Sequence, residues 1–400
     1  MQDTKTDNTQ YSIRRTILAA VLILYCLSFT LVLTHQPLGL VGSDYYSRWY
    51  ATRMLFNEHR SLYDPRNSEE VTVATIEGSF FYPAHLVLIT APMVILPFPI
   101  ARFLWMLIIQ ILLLVGVWFV SSIYKWPRSF NHFAILLFAS LFFIPNIQNT
   151  IWGQFGTIST ISLALVLYTL IKEKYVLAGI FTLGLTFKPQ VMLLTLTLLL
   201  FWSFVDRSRW RYWQSFGLVA LASWGIAELL EPNWPASFWR GVQAYSAHHQ
   251  TISIIEKYIP TNHILEGLLL VAIFAAWVYY RRSLPGSIAF TGCVVLSIAG
   301  WWLVVPVLGM MHLVVLPLAL ILLFAGLQSS NRLIYSIGII VILILYILGL
   351  LGFLYGLSQP GLYGLHIQLA ELAYKIVTPV ILILLTIPLL LKKNSIVILV

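Results

Sequence analysis

Charge is scarce in this chain. Only 10% of its 400 residues are Asp, Glu, Lys or Arg, under half the ~25% of an ordinary soluble domain, so a solvated surface around a conventional core is excluded. Acidic residues are scarcer still, 15 against 24 basic ones. The apolar runs hold almost none, which argues against an ion channel or a proton-coupled transporter. Cysteine is down to Cys26 and Cys293. Both lie in apolar runs and form neither a CxxC pair nor a disulfide framework, so they leave the redox compartment open. There is no Walker A loop, GxSxG, HExxH, or GxGxxG after a strand, which removes ATP-driven pumping and the commoner soluble hydrolase chemistries. No fixed-period repeat or linker marks a second domain.

What the chain has in abundance is apolar sequence, with 59% hydrophobic residues and a mean hydropathy of +0.86. Apolar stretches near the ~17–25-residue length of a spanning helix recur from end to end, without the alternating pattern of an outer-membrane barrel. The expected fold class is an all-α polytopic membrane protein, a single integral membrane domain over residues 1–400. Twelve spans are predicted, near 14–34, 98–123, 131–145, 155–171, 174–187, 189–205, 213–230, 263–280, 286–304, 308–327, 332–355 and 372–391. Several fall short of ~20 residues, which calls for tilt or local thinning of the bilayer. The first span lacks a small-residue cleavage site and reads as a retained helix.

The formal net charge of +9 does not point to nucleic acid, because the basic residues are dispersed among short loops with no stripe or binding motif. They read as an orientation signal. The stretch "YPAHLVLITAPMVILPFP" is apolar but broken by four prolines. If residues 84–123 make one net crossing, with 84–96 re-entrant or interfacial, nearly every basic cluster falls on the cytoplasmic side. That parity puts both termini in the cytoplasm and leaves two long outer loops, 35–83 and 231–262, and a smaller Gly-rich one, 356–371. Within the first, "RWYATRMLFNE" suits a short amphipathic helix along the membrane surface.

The same parity gathers Asp44, "NIQNTIWGQFG", "TFKPQ" and "GMMHLVVLP" at the outer face. Asp44 has two readings: a general base for an acceptor hydroxyl, or an N-terminal cap of the helix that follows. Lys188, between two apolar runs, either meets an anion such as phosphate or snorkels to the interface. Gln154, Asn146 and Asn149 could bond a sugar or satisfy backbone at a helix start. His312 could donate to a phosphate or sugar oxygen, or be a packed, locally satisfied side chain. His248, His249 and His263 show no recognisable metal spacing with the carboxylates.

In order along the chain, "SDYYSRWYATRMLFNEHRSLYD", "FFYPAHLVLITAPMVILPF", "NTIWGQFGTISTISLALVL", "LAGIFTLGLTFKPQVMLLTLTLL" and "MMHLVVLPLALILL" resemble glycosyltransferase family 87. That family comprises polyprenyl-phosphate-sugar-dependent mannosyl- and arabinosyltransferases with a GT-C type membrane fold. The resemblance implies an inverting transferase of the plasma membrane of a prokaryote. Its donor would be a polyprenyl-phosphate sugar, most readily mannose, and its acceptor lipid- or glycan-linked on the non-cytoplasmic face. Asp44 matches the catalytic base, and Lys188, His312, Gln154 and Tyr82 match donor phosphate or sugar positions. Arg48 and Arg53 are further candidates for stabilising the departing phosphate. No metal or other cofactor is expected, and the partners are membrane lipids, donor and acceptor. The competing class is a transporter or flippase for lipid-linked sugars, and a third is a scaffold with no chemistry.

Overall fold

A computed structural model describes residues 3–37, 41–72, 80–248, 252–306, 309–358 and 372–391. Among them every regular element is helical and there is no strand. The predicted apolar runs are mainly helical, as a backbone in hydrocarbon must satisfy its N–H and C=O groups within the segment, but 131–145 crosses the break between two helices and 174–187 ends in a separate 3-10 turn.

Five segments are long and apolar enough to cross a membrane: Ser12–Thr34, Phe98–Tyr124, Met310–Ser330, Arg332–Tyr355 and Leu372–Leu391. A sixth forms if Phe130–Leu141 and Ile144–Trp152, bent by 47° at their junction, count as one span. The chain is a multi-pass membrane protein. Shorter apolar helices include Gly156–Ile171, Tyr175–Leu185, Pro189–Phe204, Ile264–Tyr279 and Ile288–Val304. At ~1.5 Å per residue a 16-residue helix reaches only about 24 Å, less than the ~30 Å hydrocarbon core.

In chain order, α1 is Asp3–Thr34, α2 Ser43–Glu58, α3 Pro65–Thr72, α4 Val87–Val94, α5 Phe98–Tyr124, α6 Phe130–Leu141 and α7 Ile144–Trp152. They are followed by α8 Gly156–Ile171, α9 Tyr175–Thr182, α10 Pro189–Phe204 and α11 Trp210–Leu230. The second long loop contains α12 Trp234–His248 and α13 Ile254–Tyr258. The last set is α14 Ile264–Tyr279, α15 Ile288–Val304, α16 Leu316–Ser330, α17 Arg332–Ser358 and α18 Thr378–Leu391.

α16 is almost wholly buried, whereas α1 and α17 turn most of their apolar surface outward. The main core fills the space among α5, α8, α10, α15 and α16. A smaller aromatic core, with Tyr45, Trp49, Tyr82, Trp105 and Phe155, lies under α2. The segment expected to be re-entrant is a helix of Ala84–Val94, too short to span. It packs on α2, where Trp49 Nε1 donates to the Met93 carbonyl at 3.1 Å. At the far end of the bundle Arg209 Nη1 donates to the Arg281 carbonyl at 3.0 Å, joining the basic turns after α10 and α14. The Gly-rich segment lies outside the described residues from 359 onward.

α9 and α11 approach backbone to backbone at Gly179, where a Cβ would lie 2.0 Å from Ser215 Oγ and 2.3 Å from the Tyr212 carbonyl. Gly179→Val is therefore expected to destabilise the protein by about 1–3 kcal/mol, the usual cost of overpacking. Gly217→Ala, with nothing within 4 Å of its Cβ position, serves as the control. Thermal unfolding in detergent reads both, and equal midpoints would refute this α9–α11 packing.

Candidate functional site

Two glycines with positive φ seat the start of α2 against the end of α7. Gly42 (φ 80°) is the N-cap of α2, and its N–H donates to the Ile151 carbonyl at 2.7 Å. Gly153 (φ 66°) closes α7, and a Cβ there would stand 2.6 Å from Tyr45 Cβ. A side chain at either position would be strained in the left-handed region. Tyr45 stacks on Trp105 with ring centroids 5.2 Å apart, and Trp105 Nε1 donates to the Gly153 carbonyl at 2.8 Å. The turn that carries Gln154 is thereby fixed directly beneath the first turn of α2.

Asp44 sits in that first turn and is 1% exposed. The cap position belongs to Gly42, and no side chain makes a capping hydrogen bond there. Of the two readings of Asp44, the side-chain cap is not what the structure has. Its Oδ1 is buried and accepts no hydrogen bond. Arg48, one turn later on the same face, places Nη1 3.4 Å from that oxygen and also donates to the Asp44 carbonyl.

A polar chain continues from this pair through the aromatic core. The Arg48 guanidinium lies 4.5 Å from the Tyr82 ring centroid. The Tyr82 hydroxyl donates to Gln154 Oε1 at 3.0 Å, and Lys188 Nζ donates to the same oxygen. Lys188 has no exposed surface. It is the N-cap of α10, ahead of Pro189, so its ammonium and a helix N-terminus attract negative charge together. Snorkelling to the interface is not what this side chain does.

His312 is 9% exposed, and its Nδ1 is 3.0 Å from the Gly309 carbonyl. It lies within electrostatic reach of Lys188 and Arg48. Asn149 Nδ2 donates to Thr157 Oγ1 at 2.9 Å and Asn146 Nδ2 to the Leu141 carbonyl at 3.2 Å, while the Oδ1 atom of each is buried and accepts no hydrogen bond. Arg53 is not brought into the chain. Nine residues from Asp44, it falls on the opposite face of α2, with its guanidinium 5.0 Å from the Trp49 ring centroid.

Arg48, Asp44 and Lys188 are all buried along this polar chain, and Asp44 is the carboxylate that the described residues bring to it. Chemically, the two cations flanking the Tyr82 ring suit an anionic group, and Asp44 Oδ1 can accept a proton.

Two residues that the sequence pattern did not mark support this region. Arg102, 7% exposed, donates from Nη1 to the Val41 carbonyl at 3.2 Å and from Nη2 to the Gln36 and Thr34 carbonyls, clamping the α1–α2 connection. A lone Arg inside an apolar run was the available signal. Glu231 accepts from Ser61 Oγ at 2.6 Å and from the Leu62 N–H at 2.7 Å, tying the two long loops together. No local spacing announces that pairing.

Glu256, His263 and Glu266 bring one ligand-type atom each within 4.8 Å of one another, although their spacing shows no metal motif. Helix capping accounts for them. The N–H groups of His263, Thr261 and Asn262 hold the Glu256 carboxyl below the ordinary carboxylate range, while Glu266 accepts from Ser253 and pairs with His263. His249 lies outside the described residues, as does the side chain of His248.

In comparisons with known proteins, no family model, curated protein or solved structure matches the chain.

Proposed function

We propose that the chain is an inverting membrane glycosyltransferase that moves a sugar, most readily mannose, from a polyprenyl phosphate to a lipid- or glycan-linked acceptor. The observation that carries the reading is the buried, uncapped Asp44 carboxylate beside Arg48, joined through Tyr82 and Gln154 to the buried Lys188. The resemblance to family 87 supports the reading, because it would put these residues at the positions of the base and donor contacts. A GT-C type fold of about twelve helices belongs to the same proposal, as does an outer-face site with both termini in the cytoplasm.

The acceptor hydroxyl gives its proton to Asp44 as its oxygen attacks the anomeric carbon from the face opposite the phosphate. The bond from that carbon to the phosphate oxygen breaks, and the configuration inverts. Polyprenyl phosphate leaves without the sugar and with one more negative charge than the diester carried, which Lys188 and Arg48 stabilise. Gln154, Tyr82 and His312 orient the sugar and phosphate. In this reading Lys188 and Arg48, rather than a metal ion, meet the charge on the leaving phosphate.

The test incubates purified protein in lipid with labelled polyprenyl-phosphate sugars and a host lipid extract, and identifies products by mass spectrometry. A glycosylated product is expected, formed equally with and without EDTA. Loss of product in EDTA and its return with Mg²⁺ or Mn²⁺ would contradict the metal-free reading. Movement of intact donor across the bilayer with no product would favour a flippase.

A further inference from the structure

The end of the bundle away from Asp44 carries a second site. α1, α5, α6 and α16 surround a groove of about 980 Å³, at the upper end of the ~300–1,000 Å³ that small-ligand sites occupy. Arg15, Lys125 and Arg128 stand at its rim, all three exposed, and no Asp or Glu lines it among the described residues. Its walls are apolar, with Leu22 from α1, Leu114 and Trp118 from α5, and Phe133 and Leu137 from α6.

Charge and grease are separated along one axis. On α1, Arg15 is at the rim and Leu22 about 10 Å deeper; on α5, Leu114 lies about 16 Å below Lys125, at ~1.5 Å per residue. That depth is close to the ~15 Å of one leaflet's hydrocarbon, half of a ~30 Å core. Ser121, 5% exposed, also lines the groove, and its buried Oγ has no hydrogen-bond partner. The site is remote from Asp44, because α1 and α5 each have one end beside α2 and the other at this rim.

We propose that this groove binds an anionic phospholipid, with its phosphate on Arg15, Lys125 and Arg128 and an acyl chain along the walls of α1, α5 and α6. A free phosphate would use the rim alone and gain nothing from the apolar depth. A zwitterionic lipid would fill the depth but bring a choline against three cations. The basic residues also suit an orientation signal, which by itself requires neither a groove nor lipid selectivity.

Native mass spectrometry of the delipidated full chain in mild detergent tests this, with titration by phosphatidylglycerol and by phosphatidylcholine of the same acyl chains. Retention of phosphatidylglycerol is expected, undisturbed by millimolar inorganic phosphate. The triple variant R15Q/K125Q/R128Q should bind it about a hundredfold more weakly, on the scale of three cations at a lipid surface. Ala19→Trp, which keeps every charge but fills the groove from an exposed position on α1, should also lose the lipid. It keeps the test informative if the triple variant fails to insert. Equal retention of phosphatidylcholine, displacement by inorganic phosphate, or unchanged binding by Ala19→Trp would each overturn the proposal.

Discussion

Asp44→Asn is expected to lower the rate of sugar transfer by about 10²–10⁴-fold, the range that a positioned general base contributes. Asn is close to isosteric, so the first turn of α2 and the stacking of Tyr45 on Trp105 are retained. The amide cannot take the acceptor's proton. Donor retention should stay within the wild-type range, because the phosphate contacts are assigned to Lys188 and Arg48 rather than Asp44. A loss confined to the chemical step, with binding intact, distinguishes a base from a binding residue. Single-turnover transfer beside equilibrium retention of labelled donor gives both quantities. Wild-type transfer by well-folded D44N would remove Asp44 from the mechanism.

Lys188→Met should act differently, weakening donor retention and slowing transfer together by roughly 10²–10³-fold overall, as loss of a preorganised charge at a leaving group does. Gln154 Oε1 keeps its hydrogen bond from the Tyr82 hydroxyl at 3.0 Å, and the thermal midpoint of the variant reads whether the fold survives loss of the ammonium. A variant that unfolds would mark Lys188 as a structural ion. One that folds and binds donor normally would place the phosphate elsewhere.

Much of this architecture was legible in the sequence because hydrocarbon is a strict solvent. Apolar runs had to become helices, and the breaks at Pro97 and Pro189 fell where helices start. The choice between Arg48 and Arg53 could also have been read from periodicity, since four residues from Asp44 return to its face of α2 and nine do not. Arg48 pairs with Asp44, while Arg53 lies over Trp49. The ambiguity over Asp44 was different in kind. Ser-Asp before a helical run signals a cap, and only the backbone shows that Gly42, in the left-handed region, has taken that place.

What stayed hidden depends on contacts remote in sequence. The Glu231 contacts bridge to Ser61 and Leu62 in another loop. The contacts of Glu256 with the backbone N–H groups of residues 261–263 form only where the ends of α13 and α14 meet. The groove below Arg15 and Lys125 arises from four helices that no single motif relates.

The most direct measurement is an experimental structure of the protein in lipid with a non-hydrolysable polyprenyl-phosphate sugar bound. The donor phosphate is expected within hydrogen-bond reach of Lys188 and Arg48, with the anomeric carbon turned toward Asp44 and the sugar against Tyr82 and Gln154. A donor seated away from this chain of residues, with Asp44 still locked against Arg48 and closed to any acceptor, would contradict the account.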